Sequence, residues 1–191
     1  PHFCPAGLSC PAQLAVHLIR FGWRNALDID HSGAKTVQQL VHRETVGNLT
    51  DLYRLSEEDL RALEGFAEKS TRQFHRSIQD TKAPELKRFR YASGIRHEGE
   101  HVARRLAQHF RRLEAMTKTD AGTLEAIDEI SPEIARAIHD FFSRKENRDV
   151  LSAMRRAGVK VAPSPAPEWQ PLKGQVFVFT GSLAGFTRDA S

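Results

Sequence analysis

No run of apolar residues in this sequence approaches the ~18 needed to span a bilayer. No basic-then-apolar leader stands at its start either. Both absences point to a cytoplasmic location and away from a membrane partner. Cysteine is nearly missing: Cys4 and Cys10 are the only two. They could pair, bind metal or stand as idle thiols. A large excess of one charge is lacking too, since the net charge is +4. Strand-like segments are scarce, and the first residue is Pro1 rather than Met, which suggests a fragment or a processed piece.

What is present reads as an ordinary globular chain, 40% apolar and 27% charged, long enough for one or two domains. Charge is unevenly placed. Lys69 to Arg112 holds twelve Lys or Arg against four acids, while Asp51 to Glu68 holds six acids. A basic block inside a helical region is the footprint of a polyanion partner, or else a solvated face.

Helical periodicity runs through Ala12–Phe21, Thr36–His42, Glu57–Leu63, Lys69–Ile78, Glu100–His109, Pro132–Phe142 and Arg148–Ala157. Ser56 before Glu57-Glu58-Asp59 marks a helix start, as does Ser131 before Pro132. Gly158 marks an end. Ala162–Pro167 alternates with proline like a stiff linker. Beyond it Gly174–Thr180 is the one convincing strand, and a lone strand needs partners to be stable.

The centre of the chain repeats. Gly33, Ala67, Gly99 and Ser131 are anchors spaced by 34, 32 and 32 residues, each following an apolar stretch and opening a new helix. A small residue permits a tight turn and a close ligand. The helix that follows aims free N–H groups and a positive dipole end outward. Phosphate fits such a place without any base being read. Lys35, Lys69, Ser70, Arg96 and Arg136 lie near the turns, as does Gly65. Paired-helix solenoids that bind proteins are the competing reading, but their large aromatic signatures are absent and they need no glycine at the turn.

CPAQL (Cys10–Leu14), ALDID (Ala26–Asp30), DLYRLSEEDL (Asp51–Leu60), GFAEKS (Gly65–Ser70), YASGIRHEGE (Tyr91–Glu100), IHDFF (Ile138–Phe142) and GQVFVFTGSL (Gly174–Leu183) come in order along the chain. Together they resemble the C-terminal half of NAD+-dependent bacterial DNA ligases. The resemblance implies a mainly α fold: a tandem helix-hairpin-helix domain with a small zinc-finger remnant before it and a truncated α/β BRCT start after it. The implied boundaries are 1–20 for the finger half and following helix, 21–161 for four hairpin motifs, 162–173 for the linker and 174–191 for the first BRCT strand.

The resemblance further implies that Cys4 and Cys10 are half of a four-cysteine zinc site. It implies that Gly33, Ala67, Gly99 and Ser131 end hairpins that hold nicked double-stranded DNA. Thr180 and Gly181 match a Thr-Gly pair that contacts phosphate in phosphopeptide-binding BRCT domains. NAD+ would serve the parent protein and not bind to this chain. The partners would be nicked duplex and the upstream ligase domains, the chain a monomer, and its place the bacterial cytoplasm near the nucleoid. Catalysis is not expected: Lys118-Thr119-Asp120-Ala121 lacks the glycine of the family's Lys-x-Asp-Gly.

Departures from the family pattern set further expectations. Ala67 and Ser131 replace glycine, with roughly 1 kcal/mol or more of strain if those backbones need positive φ. Ser32 and Glu98 stand where an apolar residue normally packs under the hairpin. A divergent non-catalytic paralogue serving as a protein-interaction scaffold is the alternative, and a hairpin module of a nuclease or recombination accessory protein is a third reading.

Overall fold

The computed structural model describes residue 8 and residues 10–165. The strand expected at Gly174–Thr180, with Thr180 and Gly181, lies outside the described residues, and so does Cys4. Within them the protein is mainly helical, and the one β-contact is a bridge between Glu85 and Ala162. Ten α-helices follow in order: α1 Leu14–Gly22, α2 Ala34–His42, α3 Glu57–Arg61, α4 Glu68–Asp80, α5 Leu86–Ala92, α6 Glu100–Phe110, α7 Leu113–Thr117, α8 Ala121–Glu125, α9 Pro132–Ser143 and α10 Lys145–Arg156. Short 3-10 turns precede α1 and α3.

Both marked helix starts form as expected. The Ser56 hydroxyl accepts the Asp59 N–H while the Asp59 carboxylate accepts the Ser56 N–H, a reciprocal cap. Ser131 caps α9 with Pro132 at the first helical position. Gly158 closes α10 at φ +94, where its N–H donates to Arg155 and the Val159 N–H to Met154. Helices α5, α7 and α8 carry no readable periodicity, because seven and five residues are too few turns to show one.

Helix pairs α1–α2, α3–α4, α5–α6 and α8–α9 pack as four hairpin motifs. The repeat is visible in burial. Seven residues before each anchor stand Ala26, Leu60, Ala92 and Leu124; four before stand Ile29, Leu63, Ile95 and Ile127; all are buried. On the helix after the anchor, Val37, Thr71, Ala103 and Ala135 are buried, then Leu40, Phe74, Leu106 and Ile138 one turn on. Spacings of three and four put these side chains on one helical stripe.

The stripes feed two cores. Hairpins 1 and 2 share a core of residues such as Leu18, Phe21, Leu40, Leu60 and Phe74, which Val150 and Met154 of α10 complete. Hairpins 3 and 4 share the second, around Leu106, Met116, Leu124 and Ile138. Leu113, Phe141 and Leu151 touch both cores and join them.

The first residues of the segment expected as a linker from residue 162 touch the helical body. The Lys160 N–H donates to Lys82, Ala162 to Pro84 and Ser164 to Arg111, so the chain lies on the helical body through Ser164. Proline alternation disfavours helix but leaves every non-proline N–H free to make such contacts.

Candidate nucleic-acid interface

Each anchor is the N-cap of its helix: Gly33 of α2, Ala67 of α4, Gly99 of α6 and Ser131 of α9. Their φ values are −64, −107, −78 and −71, all in the extended region that any residue adopts. The strain expected from Ala67 and Ser131 therefore does not arise. A Cβ added at Gly33 or Gly99 meets nothing within 4 Å, so the anchor faces open space. Small residues there leave room outside the fold rather than relieve the backbone.

The left-handed position lies two residues earlier. His31, Gly65, His97 and Glu129 have φ of 60, 84, 60 and 69. Sequence reading missed His31, His97 and Glu129. The signal was available in the repeat register, where Gly65 is the one residue of the four that needs no explanation.

The residue between, directly before the anchor, sits under the hairpin, as the family pattern asks. Phe66 packs on His31 and Phe74, and Ile130 is buried. Ser32 and Glu98, which were expected to pack poorly, find polar solutions. The Ser32 hydroxyl donates to Ile29 at 2.6 Å and sits where a Cβ on Gly22 would come within 2.0 Å of its oxygen. Glu98 is buried and meets the buried guanidinium of Arg90 at 2.5 Å, which in turn lies 5.0 Å from the Phe142 ring centroid. Burial pushes the Glu98 carboxyl up to about 7 against the opposing pull of Arg90, and pushes the Arg90 guanidinium down.

The hairpins dock in pairs. Gln39 of α2 exchanges two hydrogen bonds with the Glu64 backbone, and Arg43 donates to the Ala62 carbonyl. The equivalent contacts between hairpins 3 and 4 run from His101 and Arg105 of α6 to Asp128 and Glu129. Gln39 and Arg105 occupy the same place, six residues after their anchors.

No side chain caps Gly33, Ala67 or Gly99, so the first N–H groups of α2, α4 and α6 stay available at exposed tips. The Ser70 hydroxyl is engaged with both the N–H and the carbonyl of Ala67. Hairpin 4 differs. Pro132 brings no N–H, and the Ser131 hydroxyl accepts the Ile134 N–H at 3.3 Å. Only the Glu133 N–H is left of the three that a phosphate would use.

Of the sequence-marked cations, Lys69 is exposed on the first turn of α4, and Lys35 is exposed and 3.7 Å from Glu64. Arg96 and Arg136 both line a groove on the α9 side of hairpin 3. Gly65 sits exposed at the tip of hairpin 2. Much of the basic block serves the fold. At least seven of its twelve cations, Arg72, Arg76, Lys87, Arg88, Arg90, Arg104 and Arg105, are in ion pairs. The Lys118–Ala121 segment is a helix cap, with the Asp120 carboxylate accepting the Thr123 N–H.

Cys10 is buried, and no group of three or more His, Cys, Asp or Glu able to hold a metal occurs among the described residues. A tetrahedral zinc site needs four donors, and two cysteines do not make one. No helix among the described residues is long and apolar enough to cross a membrane.

Comparison with known proteins agrees with this geometry. Residues 88–151, which hold hairpins 3 and 4, match the helix-hairpin-helix motif family. The chain is 43% identical over 188 residues to the DNA ligase of Syntrophus aciditrophicus, covering 98% of this chain and 28% of that protein. It is 42% identical over 181 residues to the DNA ligase of Syntrophotalea carbinolica, at 95% and 27% coverage. The DNA ligase of Alkalilimnicola ehrlichii is 44% identical over 191 residues, at 98% and 28%. Over nearly its whole length this chain is similar to one part of these DNA ligases. The chain spans little more than a quarter of the length of these relatives.

Proposed function

We propose that this chain is the duplex-gripping part of an NAD+-dependent DNA ligase. It holds nicked DNA through backbone–phosphate contacts at the hairpins, without reading sequence, during replication and repair. The observation that carries the reading is the row of uncapped N-termini at Gly33, Ala67 and Gly99, each open to solvent at a hairpin tip. N–H groups fixed by a helix need no reorganisation to meet a phosphate oxygen, and the helix dipole favours the negative charge. Lys69, and Lys35 once it leaves Glu64, add point charges beside them. Pairwise docking of the hairpins lets each pair face both strands across a minor groove. In this reading the chain works as a monomer in the bacterial cytoplasm, and the sealing chemistry with NAD+ belongs to upstream domains. Cys10 is disulfide-bonded in this structure, so Cys4 and Cys10 would contribute half of a zinc site only after reduction to thiolates, with the remaining donors from outside this chain.

The test is binding of fluorescent nicked, intact and single-stranded DNA at low and moderate salt. Nicked duplex is expected to bind with an affinity that falls steeply with salt, since phosphate contacts release counterions. A flat salt response, or a preference for single strands, would remove the reading. A protein partner captured in place of DNA would favour the scaffold alternative.

A further inference from the structure

The hairpin pair 3–4 carries a groove of about 560 Å3 between α1, the loop joining α5 to α6 in hairpin 3, and α9. Four guanidiniums line it: Arg20 of α1, Arg96 of the loop, Arg136 of α9 and Arg144 at the end of that helix. Two carboxylates, Glu133 and Asp140, also reach it, and Glu133 is held by His97 at 3.0 Å. Among the described residues neither Arg20 nor Arg136 has a carboxylate within ion-pair distance. Arg20 is fixed in place all the same. It lies 5.7 Å from the Trp23 ring centroid and fills the space left by Gly94, where a Cβ would come within 3.0 Å of it. Gly94 has φ +65, so the loop bends at the point where Arg20 crosses it.

This arrangement lies beside a hairpin that cannot hold phosphate in the usual way. Ser131 and Pro132 leave α9 one of its three initial N–H groups. Hairpin 3, whose tip residues Arg96 and His97 form part of the groove wall, keeps an uncapped helix start at Gly99. A strand whose phosphate rests on Gly99 can therefore continue past Arg96 toward Arg136 and Arg20. Guanidinium groups suit this, because their planar donor fork matches two phosphate oxygens at once. The volume lies within the range of small-ligand sites and exceeds what one phosphate needs.

We infer that the groove between α1, hairpin 3 and α9 is a second seat for nucleic-acid phosphodiester, replacing the closed fourth hairpin as the anion contact of this half. The inference rests on the duplex-gripping reading. It assigns to Arg20 and Arg144 a role that hairpin matching does not give them, and removes Ser131 from the contact set.

The experiment compares nicked-duplex binding by this chain with that of Arg136→Glu, Arg20→Glu/Arg136→Glu, Lys69→Glu and Ser131→Asp, with circular dichroism of each. The arginine pair is expected to lose about tenfold or more in affinity and to flatten the salt slope by about two. Ser131→Asp is expected to stay within about twofold, because an aspartate caps α9 as serine does. If the double variant misfolds, Arg136→Glu alone carries the test, since Arg136 is exposed and unpaired among the described residues. Parent-like binding by folded arginine variants, with Lys69→Glu weakened, overturns the groove alone. Failure of the parent chain to bind duplex overturns the grip and the groove together. A poly-aspartate peptide that binds the parent but not the double variant, with DNA binding equal in both, would assign the groove to an acidic protein segment and overturn the proposal.

Discussion

His97 and Glu133 meet at 3.0 Å between the third and fourth hairpins, and His101 and Glu129 repeat the contact in reverse at 2.8 Å. His97 and Glu129 each stand two residues before an anchor, and His101 and Glu133 two residues after one. The exchange is what a local two-fold relation between the motifs demands. Both pairs are solvent-accessible, which keeps their contribution small. Replacing His97 and His101 together by alanine is expected to leave the melting temperature nearly unchanged. Amide exchange in 126–131 is expected to quicken. Unchanged exchange would mean that the apolar residues alone hold the two hairpins together.

The Arg90–Glu98 pair predicts a pH effect of definite sign. Glu98 holds its proton up to about 7 in the folded protein, against an ordinary 4.5. Between these values the folded state binds more protons than the unfolded chain, so stability is fully present below 4.5 and falls as pH rises toward 7. Glu98→Gln is expected to remove that slope in denaturant titrations at pH 5, 6 and 7.5. At pH 7.5 Arg90→Ala leaves the buried Glu98 carboxyl without its partner and is expected to cost about 3–5 kcal/mol, less at pH 5 where that carboxyl is neutral, while Arg90→Met/Glu98→Leu is expected to be neutral or stabilising.

Backbone conformation separates the glycines. Gly65→Ala forces a side chain into φ +84 and is expected to cost about 1 kcal/mol. Gly33→Ala and Gly99→Ala, at negative φ with empty space outside, are expected to stay within about 0.5 kcal/mol. Equal losses at all three in urea titrations would show that the anchors, too, are strained.

Gly22 and Ser32 form a complementary couple. Gly22→Ala drives a methyl to 2.0 Å from the Ser32 oxygen and is expected to cost about 1–3 kcal/mol. Adding Ser32→Gly is expected to recover most of that loss. No recovery in the double variant would place the strain in α1 itself.

The sequence showed the repeat plainly, because small anchors followed by helices recur at nearly constant spacing. It showed Ser56 and Ser131 as caps, because capping is local. It misplaced the left-handed position, since His31, His97 and Glu129 do not look like residues at positive φ. Glu98 looked misplaced because its partner Arg90 is brought beneath the hairpin only when α5 packs on α6. The basic block overstated the free charge, because Arg105 and Arg88 reach carboxylates 23 or more residues away in the chain. Arg20 gave no sign at all, since its neighbours Gly94 and Arg136 come from other motifs.

The contacts from Lys160 to Lys82 and from Ala162 to Pro84, 2.7 and 2.8 Å long, set the entrance and the exit of the second hairpin pair side by side. That is the topology of an inserted cassette, which could be spliced out with almost no bridging chain. Packing forbids the excision, because Val150, Met154 and Val159 would leave with it and open the first core. The two pairs can thus be separated on a map of the chain but share a core that neither completes alone.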